Sequence, residues 1–174
     1  MLKTGPGQWE ERGAENLSFT EWTEKPTQYE RINVVKSVPT KAHHILQDWL
    51  QTGQMKHLIS QNIDGLHLRS GVSRENISEL HGNTYLETCA DCGKGYMRDH
   101  RTRNDENDAF THLTGRNCDE CGGALNDSIV NFGEKLPQAA LESAQHHTIN
   151  ADFCLSLGSS LQVKPAMLFP MRLT

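Results

Sequence analysis

The chain has 174 residues, enough for one domain or for one domain with a small inserted lobe. Hydrophobic residues make up 36% of it and charged residues 22%, ordinary values for a globular protein. The net charge of −5 argues against direct nucleic-acid binding, because neutralising phosphates requires a surplus of Lys and Arg, but it does not exclude a basic partner. The sequence has no apolar run long enough to cross a membrane and no signal-peptide core, so we expect neither a transmembrane segment nor a secretory signal.

Residues 1–38 show no periodic pattern and predict a loop with short helical pieces. The clearest predicted helix follows. Thr40 is its expected N-cap, and Gly53 stands where a left-handed residue would end it. Between them, apolar residues recur at helical spacing and form one face. That face consists of Ala42, Ile45, Leu46, Trp49 and Leu50.

Several short strands are predicted after this helix. The apolar run at residues 57–60 predicts a buried strand, and residues 84–88 alternate like an exposed one. Polar residues 99–112 predict a solvated loop. Residues 128–132 and 153–157 predict two further strands, the second of them buried, and Pro137 between them opens a helix that runs to about Ile149. Strand, helix and strand in this order predict βαβ units and a parallel sheet, interrupted by a small lobe at about residues 85–128.

Four of the five cysteines form two Cys-x-x-Cys pairs, and the fifth, Cys154, is expected to be a core residue of the last strand. Two intervening residues let both thiolates of a pair reach one ion with tetrahedral geometry. A redox pair and a chance spacing are the alternatives, and without a secretory signal a disulfide framework is the poorer explanation. Four thiolates leave no open position on the metal, so we predict a structural zinc. Its ligands are Cys89, Cys92, Cys118 and Cys121.

Three polar segments are candidates for a ligand site. Gln61, Asn62 and Asp64 follow the first predicted strand, and in an open α/β sheet ligands lie beyond the carboxyl ends of strands. A simple turn at the Asp-Gly dipeptide explains these residues as well. His81, which precedes a glycine, is either a general base or a structural histidine. The serines after Gly158 bind phosphate or ribose, or form an ordinary turn.

The order of these segments resembles the sirtuin family from about residue 39 to about residue 165. Residues 68–71 and 125–130 look most like its class IV, nuclear branch. The resemblance implies a partial Rossmann-like parallel sheet with an inserted small zinc-binding lobe. The segments that carry it are residues 60–67 (SQNIDGLH), residues 79–82 (ELHG), the two cysteine pairs, residues 132–134 (FGE) and residues 157–161 (LGSSL).

This resemblance implies an NAD-dependent protein lysine deacylase that removes acetyl or longer acyl groups. Its products would be free lysine, nicotinamide and O-acyl-ADP-ribose, and its general base would be His81. It also implies a nuclear protein that acts on an acylated lysine peptide, such as a histone tail, and associates with chromatin. The implied cofactor-binding residues are Gln61, Asn62, Asp64, Gly158, Ser159 and Ser160, and the implied substrate-binding residues are Phe132, Gly133, Glu134 and Val163.

The sequence departs from the family pattern at both ends. The glycine-rich loop of the first strand and helix is missing, residues 5–9 resemble only the tail of an arginine-bearing loop, and the later strands are missing too. We therefore expect residues 1–174 to be a partial catalytic domain that binds NAD poorly, because the loop that normally holds the pyrophosphate is lacking. Two alternatives stay open, a catalytically inactive zinc-stabilised interaction module and a mono-ADP-ribosyltransferase. A zinc ribbon for nucleic acids fits poorly with the negative charge.

Overall fold

The computed structural model describes residues 37–104, 106 and 110–172, so the loop predicted for residues 1–38 lies almost wholly outside the described residues. The described part contains a two-stranded parallel sheet and a four-stranded antiparallel sheet. Helices pack against the parallel sheet, as the α/β prediction requires. Within the described residues, no helix is both long and apolar enough to span a lipid bilayer.

The first helix, α1, spans Lys41–Gln51 and begins and ends where the sequence predicts. Thr40 is the N-cap in an extended conformation, and its backbone N–H donates to Nδ1 of His43 at 3.1 Å. This bond satisfies a donor at the start of the helix. Gly53 follows the helix with a φ of 75°, the left-handed conformation expected of a terminating glycine.

The buried face of α1 differs from the predicted one. His43 and Leu50 are its buried residues, whereas Trp49, which was expected in the apolar face, is 36% exposed. The His43 ring lies 4.7 Å from the ring of His67 in a short second helix, α2, which spans Leu66–Arg69. Hydrophobic periodicity overlooks this contact because it counts a neutral imidazole as a polar residue.

Strands β1 (Leu58–Ser60) and β2 (Ile77–Glu79) form the parallel pair, with residues 58–60 in register with 77–79. A parallel pair needs a crossover, which α2 and the 3₁₀ turn Arg74–Asn76 provide. The predicted parallel sheet is therefore confirmed, and β1 is the strand predicted at residues 57–60. Strand β2 was not predicted, because its Ile-Ser-Glu sequence has only one apolar residue.

The antiparallel sheet has the strand order β4-β3-β6-β5. The strand predicted at residues 84–88 is present but shifted toward the cysteines, because the N–H of Thr84 donates to the carbonyl of Ile63, outside this sheet, at 2.8 Å. All four paired cysteines lie in this sheet or in the turns that join its strands. The strands are β3 (Leu86–Cys89), β4 (Gly95–Met97), β5 (Leu113–Asn117) and β6 (Ala124–Asp127).

A buried carboxylate holds the antiparallel sheet to the segment that follows β4. Glu87 is fully buried, and its two oxygens accept from Nε of Arg98 at 2.6 Å and from Nε of Arg116 at 2.8 Å. Burial works to raise the pKa of Glu87, but the two guanidinium groups outweigh it and lower the pKa. Arg116 also donates to the carbonyl of Thr102, a fully buried residue, so residues 99–112 are not simply the solvated loop that was predicted.

The third helix, α3, spans Gln138–Ile149 and begins directly after Pro137, as predicted. Ala144 is fully buried and packs with Leu80, which follows β2, and with Phe169. These contacts form the apolar core on this side of the parallel sheet. Two 3₁₀ turns lie beyond the helix, at Ala166–Leu168 and Pro170–Arg172.

The prediction of a strand at residues 128–132 is wrong. Val130 donates to the carbonyl of His81 at 3.1 Å, as in a strand pair, but the neighbouring bond is different. There the N–H of Asn83 donates to the side-chain hydroxyl of Ser128 at 3.0 Å. Because a hydroxyl takes the place of a backbone carbonyl, no regular ladder forms.

The prediction of a buried strand at residues 153–157 is also wrong. This segment has no regular secondary structure, and Phe153 and Leu155 are 77% and 52% exposed. Cys154 is half-buried rather than a core residue. Among the described residues no strand pairs with this segment, and an apolar run forms a strand only when a neighbour completes its hydrogen bonds.

Two histidines beside the parallel sheet are held neutral by their surroundings. The His57 ring stacks on that of His147 in α3 at 4.0 Å, and its Nε2 is 2.8 Å from Oγ of Ser78. Burial first, and then His147, lowers the pKa of His57 to about 4. Burial and His43 lower the pKa of His67 to about 4 as well.

These pKa values predict acid-sensitive stability. Above pH 6.5 both histidines are neutral in the folded and unfolded chain, so pH has no effect through them. As the pH falls from 6.5 to about 4, the unfolded chain binds protons that the native state does not, and stability declines. We expect a loss on the order of 1–2 kcal/mol per histidine, after allowance for solvent screening.

Urea unfolding at pH 7 and pH 5 measures this loss. The stability loss between pH 7 and pH 5 should be smaller in His57→Gln than in wild type. In the control His100→Gln it should equal the wild-type loss, because His100 is exposed. Equal losses in all three proteins would contradict the assignment to His57.

Candidate functional site

Four thiol sulfurs meet at one end of the antiparallel sheet. All four Sγ atoms lie within 4.8 Å of one another, with Cys89 and Cys121 at 3.4 Å and Cys92 and Cys118 at 3.6 Å. A tetrahedral zinc ion with Zn–S bonds of about 2.3 Å requires sulfurs about 3.8 Å apart. None of the four forms a disulfide. The donor set and its spacing therefore fit Zn²⁺, and because protein would fill every position, the metal fits a structural role.

The two Cys-x-x-Cys segments fold in the same way. In each, a glycine N–H donates to the carbonyl of the cysteine four residues earlier, from Gly93 to Cys89 at 3.1 Å and from Gly122 to Cys118 at 2.9 Å. Both glycines are left-handed, with φ of 74° and 76°. The turn also directs the N–H of Cys92 toward Sγ of Cys89 at 3.5 Å. This equivalence explains why each pair is followed by glycine.

Hydrogen bonds favour the ionised form of two of the thiols. The hydroxyl of Tyr96 lies 3.1 Å from Sγ of Cys118 and, as the largest effect, lowers the pKa of that thiol to about 6. The backbone N–H of Cys92 lowers the pKa of Cys89. Thiolates are the form that binds metal. A zinc ion at the centre of the four sulfurs would favour ionisation of the remaining two thiols as well. Tyr96 was not predicted as part of this centre.

A second group of polar residues meets beyond the carboxyl end of β1. Nδ1 of His81 lies 3.1 Å from the carbonyl oxygen of Gln61, and Nε2 of Gln61 donates to Oγ of Ser159 at 3.2 Å. Gly158 and Ser160 flank Ser159 in exposed backbone. The structure thus brings together one residue from each of the three polar segments found in the sequence.

The backbone that carries His81 is fixed by its neighbours. Asn83 is fully buried, and its side chain donates to Oε1 of Glu79 at 2.7 Å and accepts from the N–H of Tyr85 at 2.9 Å. Gly82 has a φ of 81°, and a Cβ there would lie 1.8 Å from the carbonyl oxygen of Ser128. No larger residue fits this position, so the segment cannot shift without moving the chain opposite. Asn83 was not predicted to have this role.

Asn62 and Asp64 lie in the turn between β1 and α2. Asn62 is exposed, and its backbone N–H donates to Oγ of Ser60 at 3.1 Å. Asp64 is half-buried, and its Oδ1 accepts from the N–H of Leu66 at 3.0 Å, at the start of α2. One oxygen of Asp64 therefore has a local structural partner, as the turn interpretation expects, and the second oxygen is a candidate ligand contact.

Phe132, Gly133 and Glu134 lie in a turn rather than in a strand. Phe132 is 67% exposed, and Gly133 has a φ of 91°. Val163 is 39% exposed, and its carbonyl accepts from the N–H of Met167 at 2.9 Å, just before the first 3₁₀ turn that follows α3. An exposed turn of this kind has backbone groups that a peptide can reach.

A charged network beside this turn was not predicted. Nε2 of His112 lies 2.8 Å from Oε1 of Glu134, and Nε of Arg103 lies 3.2 Å from Oδ2 of Asp127. His112, Asp127 and Glu134 help to line a shallow depression of about 390 Å³. Residues 103 and 112 fall in the segment predicted to be solvated. No local pattern marks them, because their partners lie fifteen or more positions away along the chain.

The model of the Sir2 family matches residues 10–165. The chain belongs to the Sir2 family. The match begins well before residue 39, where the motifs first indicate a resemblance, and it includes both cysteine pairs and all three polar segments.

Curated Sir2 relatives include "NAD-dependent protein deacetylase SRT1" of Arabidopsis thaliana, 38% identical over 139 residues, which cover 79% of this chain and 28% of the relative. "NAD-dependent protein deacetylase sirtuin-7" of Homo sapiens is 40% identical over 149 residues, which cover 82% of this chain and 37% of the relative. This Sir2 chain thus spans about a third of the length of these curated relatives.

Solved Sir2 structures have the same fold, which confirms the Rossmann-like architecture. A Sir2 homolog–NAD complex has a TM-score of 0.63 and 28% identity, covering 89% of this chain and 59% of the other. A Sir2 protein bound to acetylated peptide has a TM-score of 0.61 and 30% identity, covering 87% of this chain and 60% of the other.

Proposed function

We propose that this chain is the central part of an NAD-dependent protein lysine deacylase, and that residues 1–174 form part of its catalytic domain. The protein removes acetyl or longer acyl groups from lysine and yields nicotinamide and O-acyl-ADP-ribose. The names of the curated relatives support NAD-dependent deacetylation. Solved relatives with NAD and with acetylated peptide support the two substrates.

The hydrogen bond between His81 and Gln61 is the observation that supports this proposal most. With a proton on Nδ1, the imidazole donates to the Gln61 carbonyl at 3.1 Å. The other nitrogen, Nε2, then keeps its lone pair and can accept a proton, which is what a general base requires. The buried Asn83 and the constrained Gly82 hold the imidazole in place.

The residues around His81 are suited to a nucleotide. When bound, NAD supplies an electrophilic ribose carbon and a neutral leaving group, nicotinamide. Gln61, Asn62 and Asp64 bind the ribose and the carboxamide through amide and carboxylate groups. Ser159, which already contacts Gln61, binds the NAD backbone and ribose together with Gly158 and Ser160. Once the acyl oxygen of the substrate has bonded to the ribose carbon and displaced nicotinamide, His81 would take a proton from a ribose hydroxyl. That oxygen could then attack the acyl carbon, and water would release the free lysine.

Residues 85–128 form the small zinc-binding lobe in this proposal, with Cys89, Cys92, Cys118 and Cys121 as ligands. The zinc is structural, because protein fills its coordination sphere. The turn at residues 132–134 and Val163 bind the acyl-lysine peptide from two sides. We further propose histone tails as the substrate, a nuclear location and association with chromatin, on the basis of the resemblance to the class IV branch.

A mass-spectrometric assay tests the proposal. Full-length protein is incubated with an acetyl-lysine histone peptide, with and without NAD. We expect deacetylated peptide, nicotinamide and O-acyl-ADP-ribose only when NAD is present. ADP-ribosylated protein with the acetyl group intact would instead identify a mono-ADP-ribosyltransferase. Peptide binding without any product would identify an inactive interaction module, and either result contradicts the proposed reaction.

A further inference from the structure

His112 stands between two carboxylates, where the antiparallel sheet meets the turn at residues 131–134. Its Nε2 lies 2.8 Å from Oε1 of Glu134, and its Nδ1 lies 3.4 Å from Oδ1 of Asp127. The side chain is 21% exposed, and the backbone has a φ of 56°, a left-handed conformation that is uncommon outside glycine. Its surroundings, rather than local backbone preference, hold the residue in this position.

Glu134 shapes the turn from within. Its Oε2 accepts from the N–H of Asn131 at 2.6 Å, and its own N–H donates to the Asn131 carbonyl at 3.1 Å. One carboxylate oxygen therefore closes the turn that carries Phe132 and Gly133, while the other is held by His112. Without the imidazole, Oε1 loses a charge-assisted partner and the turn loses a link to the sheet.

Asp127 is the anchor on the side of the sheet. It is the last residue of β6, its side chain is 2% exposed, and both its oxygens are 3.2 Å from nitrogens of Arg103. Arg103 also donates to Oδ1 of Asn131 at 3.2 Å. Arg103 and His112 thus both connect β6 to the turn. Only the histidine can change its charge near neutral pH.

We propose that His112 is a positioning residue for the peptide substrate. By holding Glu134 it keeps the turn at residues 131–134 in the shape that binds acyl-lysine peptide, most firmly when the imidazole is protonated. This inference rests on the proposed function of the turn. A protonated ring donates to Glu134 and presents a second, charged N–H to Asp127 at 3.4 Å, whereas a neutral ring turns a lone pair toward one of the two carboxylates.

The charges around His112 favour its protonated form. Partial burial works to lower the pKa of His112, but Glu134 and Asp127 outweigh it and raise the pKa. The cations nearby are Arg103, which Asp127 engages, and Lys135, which is exposed and also lines the depression. Peptide affinity is therefore expected to be highest at low pH and to fall as the pH rises through the pKa of His112.

His112→Asn tests the proposal, because asparagine tolerates a left-handed backbone but is too short to reach Glu134. His100→Asn is the matched control, since His100 is exposed and pairs with the adjacent Asp99. In full-length protein with NAD and an acetyl-lysine peptide, we expect KM and the peptide Kd to rise about 10-fold in His112→Asn, with kcat unchanged. Amide hydrogen exchange at residues 131–134 should also be about 10-fold faster. The control should match wild type in each measurement.

Peptide affinity that is equal in wild type and His112→Asn would overturn the proposal, even if amide exchange were faster. If wild-type protein binds no acyl-lysine peptide, the proposed function of the turn is overturned, and this inference with it. This measurement on wild-type protein alone distinguishes that failure from a failure of the His112 proposal. If His112→Asn does not fold, His112→Gln takes its place, because its amide reaches further but does not titrate. Its peptide affinity should be independent of pH, and a wild-type pH profile in this variant would overturn the proposal.

Discussion

Replacing Cys118 with serine is expected to leave the protein aggregated or insoluble, and without bound zinc. The buried apolar cluster around the cysteines is small, since it comprises Cys89, Cys118 and Leu125 with the half-buried Tyr96. A structural zinc contributes on the order of 10 kcal/mol to folding in small domains, which is comparable to the whole stability of a typical domain. We therefore expect the metal rather than the core to determine whether this sheet folds.

Metal analysis and solubility measure this effect. Wild-type protein should carry one zinc per chain, and a strong chelator should reproduce the loss of solubility seen with Cys118→Ser. Cys154→Ser is the matched control, because Cys154 is half-buried and lies outside the four-cysteine cluster. It should stay soluble with full zinc content. Folded, untreated protein that contains no zinc would contradict the assignment.

Replacing His81 with alanine is expected to lower the rate of deacylation by about two to four orders of magnitude, the range for loss of a general base. Folding should be affected much less. His81 is half-buried, and the variant gives up one hydrogen bond to Gln61, worth about 1 kcal/mol. Turnover in full-length protein and the thermal midpoint separate the two effects.

His44→Ala is the control for this substitution, because His44 lies exposed on α1. It should match wild type in turnover and thermal midpoint. His81→Ala with wild-type turnover would remove the histidine from the mechanism. A His81→Ala protein that fails to fold would instead favour the structural interpretation of this histidine, which its sequence alone left open.

The cysteine cluster was predictable because its information is local. Two residues between cysteines and a glycine after each pair determine a turn that directs backbone and sulfur atoms toward one point. The ends of α1 were predictable for the same reason, since Thr40 and Gly53 act within one turn of the helix. Each cysteine turn and each end of α1 depends on contacts between residues fewer than five positions apart, whereas the sheet brings the two turns together.

Whether the segments after the antiparallel sheet form strands could not be predicted from local sequence. Residues 128–132 and 153–157 have strand-like composition, yet neither forms a strand. A strand exists only when another segment offers backbone partners in register, and composition does not contain that information. Glu87 shows the same limit. Its place in an alternating segment predicted exposure, but Arg98 and Arg116 make full burial possible.

The sequence by itself determined the family resemblance, the four-cysteine cluster and the choice of His81 as a candidate base, because each depends on motif order or short spacing. Only the tertiary structure decided that Ser159 contacts Gln61, that Asn83 and Gly82 fix the segment of His81, and that His112 joins Glu134 to the sheet. The physical reason is sequence distance. Contacts such as Gln61 with Ser159 join residues 98 positions apart, and their geometry depends on how sheets and helices pack between them.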